Sequence, residues 1–91
     1  MTENKDETTI FVGTKKPLFA YVNACMRASQ TAKVIKVAGR GSVISDTVTI
    51  SEIVMRKLGK HDCSVEIGSV EMKNKFEKVV FVSTIVVTIK I

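Results

Sequence analysis

One histidine, His61, and two cysteines, Cys25 and Cys63, are all the imidazole and thiol groups this sequence has. A structural zinc site needs four such ligands, and His61 and Cys63 are near neighbours with no second cluster to complete a set. No metal or other cofactor is expected. The same scarcity leaves no choice of histidine for a Ser-His-Asp apparatus, and no phosphate loop of the GxxxxGK[ST] form occurs. No enzyme is expected, and no small-molecule substrate. No run of about 18 apolar residues is available to cross a bilayer. The opening MTENKDET is polar and acidic, unlike a secretory leader with its apolar centre. These absences point to a reducing, cytoplasmic setting in which both cysteines serve as small core residues. A single disulfide between them is the open alternative. No internal repeat or low-complexity stretch is visible.

What is present is a basic globular composition. Ninety-one residues make one domain, with 45% apolar and 25% charged residues, both ordinary for a folded chain. The sign of the charge is less ordinary: 14 Lys and Arg stand against 9 Asp and Glu, a net +5. Because the first nine residues are net negative, the remainder is more basic than that figure. Such a field favours a polyanion or an anionic surface as partner, although many soluble domains are modestly basic without one.

Hydrophobic periodicity places the elements. Residues 1–8 read as a mobile lead-in, and residues 9–91 as the single domain. Thr9-Ile10-Phe11-Val12 is a short strand stopped at Gly13. Pro17 suits the first turn of a helix running to Ser29, with Leu18, Tyr21, Val22, Cys25 and Ala28 on one stripe. Lys33 to Ala38 is a second strand, ended by Gly39-Arg40-Gly41. Ser42 is a candidate N-cap for a helix from Val43 to Leu58, with Asp46 in its first turn and Arg56, Lys57 and Gly59 as stop signals. That helix carries two apolar lines: Val43, Thr47, Ile50 and Val54, beside Ile44, Val48 and Met55. A face this broad means either deep burial or cover from a second body as well as from the sheet. Ser64–Met72 and Val79–Ile91 form a hairpin around the basic tip from Lys73 to Lys78. In the last strand Phe81, Ile85, Val87, Ile89 and Ile91 share the core parity. The order β-α-β-α-β-β predicts an α/β two-layer sandwich: two helices on one face of a four-stranded mixed sheet, with an extended hairpin arm.

Basic residues fall on the connections. Lys15 and Lys16 lie in the first strand-to-helix loop, and Arg40, Gly41 and Ser42 in the second. If the first two strands are parallel, both loops emerge at one end of the sheet, where point charges, an arginine fork and helix N-termini can meet phosphates. Lys73, Lys75 and Lys78 add a projecting arm. The plainer readings are that loops and hairpin tips are commonly charged, and that Gly39 and Gly41 serve a tight turn.

Taken together, these segments resemble a known family. Ile10-Phe11-Val12-Gly13-Thr14-Lys15-Lys16-Pro17-Leu18 and Tyr21-Val22 resemble the opening of the Alba family of chromatin and RNA-binding proteins. Arg40-Gly41-Ser42-Val43-Ile44-Ser45 is similar to its second loop, and Val48 to Val54 to its second helix. Gly68-Ser69 and Val82-Ser83-Thr84-Ile85 fit as well. The resemblance implies a fold like the C-terminal domain of a bacterial translation initiation factor. It also implies a homodimer with paired lysines on one surface and arms along the duplex, binding DNA, RNA or both. Ile50, Val54 and Leu58 of the second helix are the residues expected at the dimer interface. Many relatives carry basic residues where Ser42 and Asp46 stand, an arginine-rich arm tip, and Phe in some cases where Leu58 stands.

The expected function is therefore sequence-nonspecific nucleic-acid binding as a dimer, architectural on chromatin or RNA-associated. The alternatives are an RNA-directed ribonucleoprotein subunit or translational regulator, and a dimeric protein-interaction module with a basic edge.

Overall fold

The computed structural model describes residues 6–60 and 62–91. The chain runs β1 (Glu7–Phe11), α1 (Leu18–Ala28), β2 (Val34–Arg40), a single 3-10 turn (Gly41–Val43), α2 (Ile44–Leu58), β3 (Ser64–Lys73) and β4 (Val79–Lys90). The strands lie in the order β1-β2-β4-β3, with β1 and β2 parallel and the other two pairings antiparallel. Both helices pack on one face, giving the two-layer α/β architecture expected from the periodicity. Parallel neighbours cannot be joined by a tight turn, so α1 serves as the crossover between them.

Alternation decides what is core. Ile35 and Val37 of β2 and Ile85, Val87 and Ile89 of β4 face Val22 and Cys25 of α1 and Ile50 and Val54 of α2 in one buried cluster. The α1 stripe is as the spacing predicts, with Leu18, Tyr21 and Ala28 packed at its margin. On α2 the two apolar lines part company. Val43, Thr47, Ile50 and Val54 are buried, whereas Val48 on the neighbouring line is 46% exposed. Ile50 and Val54 have no accessible surface at all, so they cannot contact a second subunit. The expectation that they form a dimer interface is corrected on that ground. Leu58 is half-buried against the same core.

Several boundaries also move. Glu7 and Thr8, expected in the lead-in, are strand residues paired with Val34 and Ile35. Gly39 and Arg40 do not end β2 but belong to it, paired with Ile85 and Thr84. Ser42 makes no cap: it sits in the 3-10 turn, and α2 begins after Val43 with no side-chain cap. Gly59 closes α2 in the left-handed region, as its sequence position suggests. Cys63, expected in the core, is exposed, and both thiols are free. Phe81 keeps the core parity but stands exposed, because the helix layer does not reach that far along β4.

Gly39 fixes how closely the layers approach. It faces α2, and a Cβ there would run into the Thr47 side chain, which is pinned because its hydroxyl donates to the Val43 carbonyl at 2.7 Å. Ser51 donates likewise to the Thr47 carbonyl at 2.8 Å, so the buried hydroxyls of α2 are satisfied within the helix. Gly39→Ala is expected to push α2 off β2 and to cost about 1–3 kcal/mol of stability in denaturant melts, as overpacking does.

Burial pushes the Cys25 thiol up from an ordinary 9.0 to about 11. The unfolded chain therefore releases this proton first, so the stabilising contribution holds below about pH 9 and is lost as pH rises towards 11. In a native thiol titration Cys63 should react and Cys25 should not; equal reactivity of the two would contradict the packing.

Candidate nucleic-acid interface

The parallel register sets the site. Glu7 pairs with Val34 and Phe11 with Ala38, so both strands run out at the same end of the sheet. The Val12 amide continues the ladder to the Ala38 carbonyl at 2.8 Å, which holds the start of the first loop beside β2. Tyr21 closes over the loop so tightly that a Cβ on Gly13 would lie 3.3 Å from its hydroxyl. From this anchored base Lys15 and Lys16 stand exposed just before α1. Exposed Arg40 is the last residue of β2, and the connection to α2 follows with Gly41 at φ +62° and exposed Ser42.

The two helix starts differ in charge. The N-terminus of α1 has no side-chain cap and no acid in its first turn, so the positive end of its dipole adds to Lys15 and Lys16. The N-terminus of α2 carries Asp46 in its first turn, which offsets the dipole beside Arg40. The charge near the first loop is therefore the more positive of the two.

The arm projects from the same end. Arg40 pairs with Thr84, and β2 stops there. The five pairs from Ser69–Ser83 to Lys73–Val79 continue beyond it with no third strand. At about 3.3 Å per residue this overhang reaches roughly 17 Å. Lys73 is the last residue of β3 and not part of the turn, while Lys75 and Lys78 are in the turn. The turn is internally fixed: the Asn74 side-chain oxygen accepts from the amides of Phe76 at 2.9 Å and Lys78 at 3.1 Å. The Lys75 ammonium lies 5.3 Å from the Phe76 ring centre.

Among the described residues, none of Lys15, Lys16, Arg40, Lys73, Lys75 or Lys78 makes an ion pair; the salt bridges there are Lys36–Glu7 at 3.5 Å and Arg56–Glu52 at 2.6 Å. His61 lies outside the described residues. No three potential metal ligands cluster among the described residues. No described helix is long and apolar enough to cross a membrane.

On sequence grounds the second apolar line of α2 is open to cover by a second body, but its β3 wall and the exposed Phe11 are not singled out. The groove between α2 and β3 is walled by Val48, Met55 and Val65 and continues to Ile44 and Ile67. Every residue of β3 is exposed, including Ile67 at 83%, so this groove is uncovered within the chain. On the opposite face Phe11 is exposed beside Ala38 and Arg40. The period-2 pattern could have placed Phe11 there, since Ile10 takes the core side.

Comparison with known proteins agrees with this geometry. No curated protein sequence matches significantly. The structure is similar to that of Alba from Thermoplasma volcanium, with a TM-score of 0.79 and 28% identity over 92% of this chain and 100% of that one. It also shares its fold with ALBA1 from Trypanosoma brucei, at a TM-score of 0.64 and 15% identity over 98% of this chain and 71% of that one. The Alba family model matches residues 8–70, more than half of the sequence, and the chain therefore belongs to the Alba family of nucleic-acid-binding proteins.

Proposed function

We propose that this chain is a non-catalytic, sequence-nonspecific nucleic-acid-binding protein that works as a homodimer. Lys15, Lys16 and Arg40, with Gly41 and Ser42 beside them, meet the phosphate backbone at one end of the sheet. The arm lysines Lys73, Lys75 and Lys78 extend the contact along the polymer. The observation that carries this reading is the convergence on one end of cations from the first loop, the end of β2 and the arm, with no ion pair among the described residues, next to the uncompensated start of α1. Phosphate contacts of this kind position a protein without reading bases, which accounts for weak sequence preference. Asp46 makes the second loop the weaker half, so Lys15 and Lys16 carry the larger share.

The dimer contact belongs in the α2–β3 groove. Val48, Met55, Val65 and Ile67 supply an apolar strip that the chain's own fold leaves in water, and a second copy presents the same strip. This replaces Ile50 and Val54, which are interior. Free Cys25 and Cys63 fit a reducing, cytoplasmic setting. Chromosomal DNA and structured RNA both offer the required phosphates; competition between them at fixed salt tells an architectural role from an RNA-associated one.

With about three to five phosphate contacts per subunit, log affinity for duplex DNA should fall against log salt with a slope of about −5 to −9 for a dimer. A slope shallower than about −2 overturns the reading, as does a preparation that binds no nucleic acid, the behaviour of a protein-interaction module. Lys15→Ala with Lys16→Ala should weaken binding evenly across sequences and flatten the slope; a loss confined to certain sequences would mean base readout. Val48→Glu with Ile67→Glu should give monomers in sedimentation without unfolding the chain, since both side chains face solvent within one subunit.

A further inference from the structure

The sheet face away from the helices is not a featureless solvated surface at its loop end. Phe11, Ala38 and Val86 lie in one row across β1, β2 and β4, and Arg40 and Thr84 form the next row towards the loops. The short Ala38 side chain between two larger neighbours leaves a hollow of about 490 Å³. Phe11, Ala38, Arg40, Thr84 and Val86 of that face line it, with Val12, Gly39 and Ile85 between them along the strands. That volume falls within the range of sites that take small ligands.

The groups around the hollow are of three kinds. Phe11 is 77% exposed and contributes nothing to the core, although an aromatic ring left in water is costly. Arg40 has no acidic partner among the described residues, whereas Lys36, two rows further down the same face, is tied to Glu7. Thr84 offers a hydroxyl that can donate and accept. An aromatic face, a free guanidinium and a hydroxyl together match one unpaired nucleotide: a flat base, a phosphate and a sugar or base edge. A duplex cannot use the ring, because its base faces are covered by their own stacking.

We infer that this hollow is a stacking site for one unpaired base of a single-stranded polynucleotide. It deepens the nucleic-acid-binding reading and rests on it. The base lies on the Phe11 ring, Thr84 meets its edge or its sugar, and Arg40 holds the adjoining phosphate. The strand then continues past Lys15 and Lys16, which leave the sheet at the same end. The charge of that end and the polyanion's phosphates are complementary, and the ring supplies an attraction that charge alone does not.

The test compares Phe11→Ala with the unaltered chain on three probes at one salt concentration: a short oligouridylate, a short oligothymidylate and duplex DNA. Loss of about tenfold on the single strands with little change on duplex is expected, the scale of one base–aromatic stack. A loss confined to oligouridylate assigns the site to RNA, and a loss on both single strands assigns it to the base itself. Because the chain has no tryptophan, Phe11→Trp gives a second readout: single-strand affinity should be kept, and indole emission quenched on binding by stacking. Equal losses on single strand and duplex, no loss on any probe, or indole emission untouched by bound single strand each overturn the inference. If duplex binding and its dependence on Lys15 and Lys16 persist in those cases, the wider reading stands. If the unaltered chain binds neither duplex nor single strand, both fail.

Discussion

The parallel pairing of β1 with β2 is the constraint on which the rest of this molecule depends. Two parallel neighbours must send their following loops out at the same end, and here Lys15 and Lys16 lie in the first loop while Arg40 ends β2 at the start of the second. The pairing also dictates that α1 cross over the sheet, which buries Val22 and Cys25 against β2 and β4. It works only if the layers lie close, and Gly39 allows that by leaving room for Thr47. A glycine in the body of a strand weakens the strand itself. In this position it lets a helix with a hydroxyl on its inner face sit against the sheet.

The second consequence comes from β4. Lying antiparallel to β2 and longer than it, β4 overhangs the loop end with β3 as its only neighbour. Backbone pairing alone would make such a two-stranded projection marginal. Its turn is fixed by Asn74, and its side chains are apolar well beyond the core, from Val79 to Phe81 and at Val70 and Met72. An arm built this way gains from lying against another surface. Loops and arm together form one cationic end, which complements a large anionic surface.

The helix layer is narrower than the sheet, and that mismatch shapes the remaining surface. It leaves β3 uncovered on the helix side, where Val65 and Ile67 face the flank of α2. It leaves the opposite face bare, with Phe11 beside Arg40. The first surface suits a second copy of the chain, because a second copy presents the same apolar strip, with Glu52, Arg56 and Lys60 beside it. The second combines an aromatic ring with an unpaired cation, a pairing of groups that suits a nucleotide better than a protein core.

Much of this was legible in the residues. Periodicity located both α-helices and all four strands, Pro17 and Gly59 marked helix ends, and the lysines on the first loop and the arm stood out as unmatched charge. Local chemistry determined these features, because each depends on neighbours within a turn or two. The tertiary structure decided what depends on distant contacts. Ile50 and Val54 looked like interface residues and are interior, since only the sheet's position tells which apolar line of α2 it covers. Gly39 looked like a turn residue and is a strand residue, because its reason is Thr47, eight positions later on another element. Phe11 and Ile67 looked like ordinary strand apolars and are exposed, because the width of the helix layer is set by packing and by no local signal. Charge and period belong to the chain; which surfaces remain uncovered belongs to the fold.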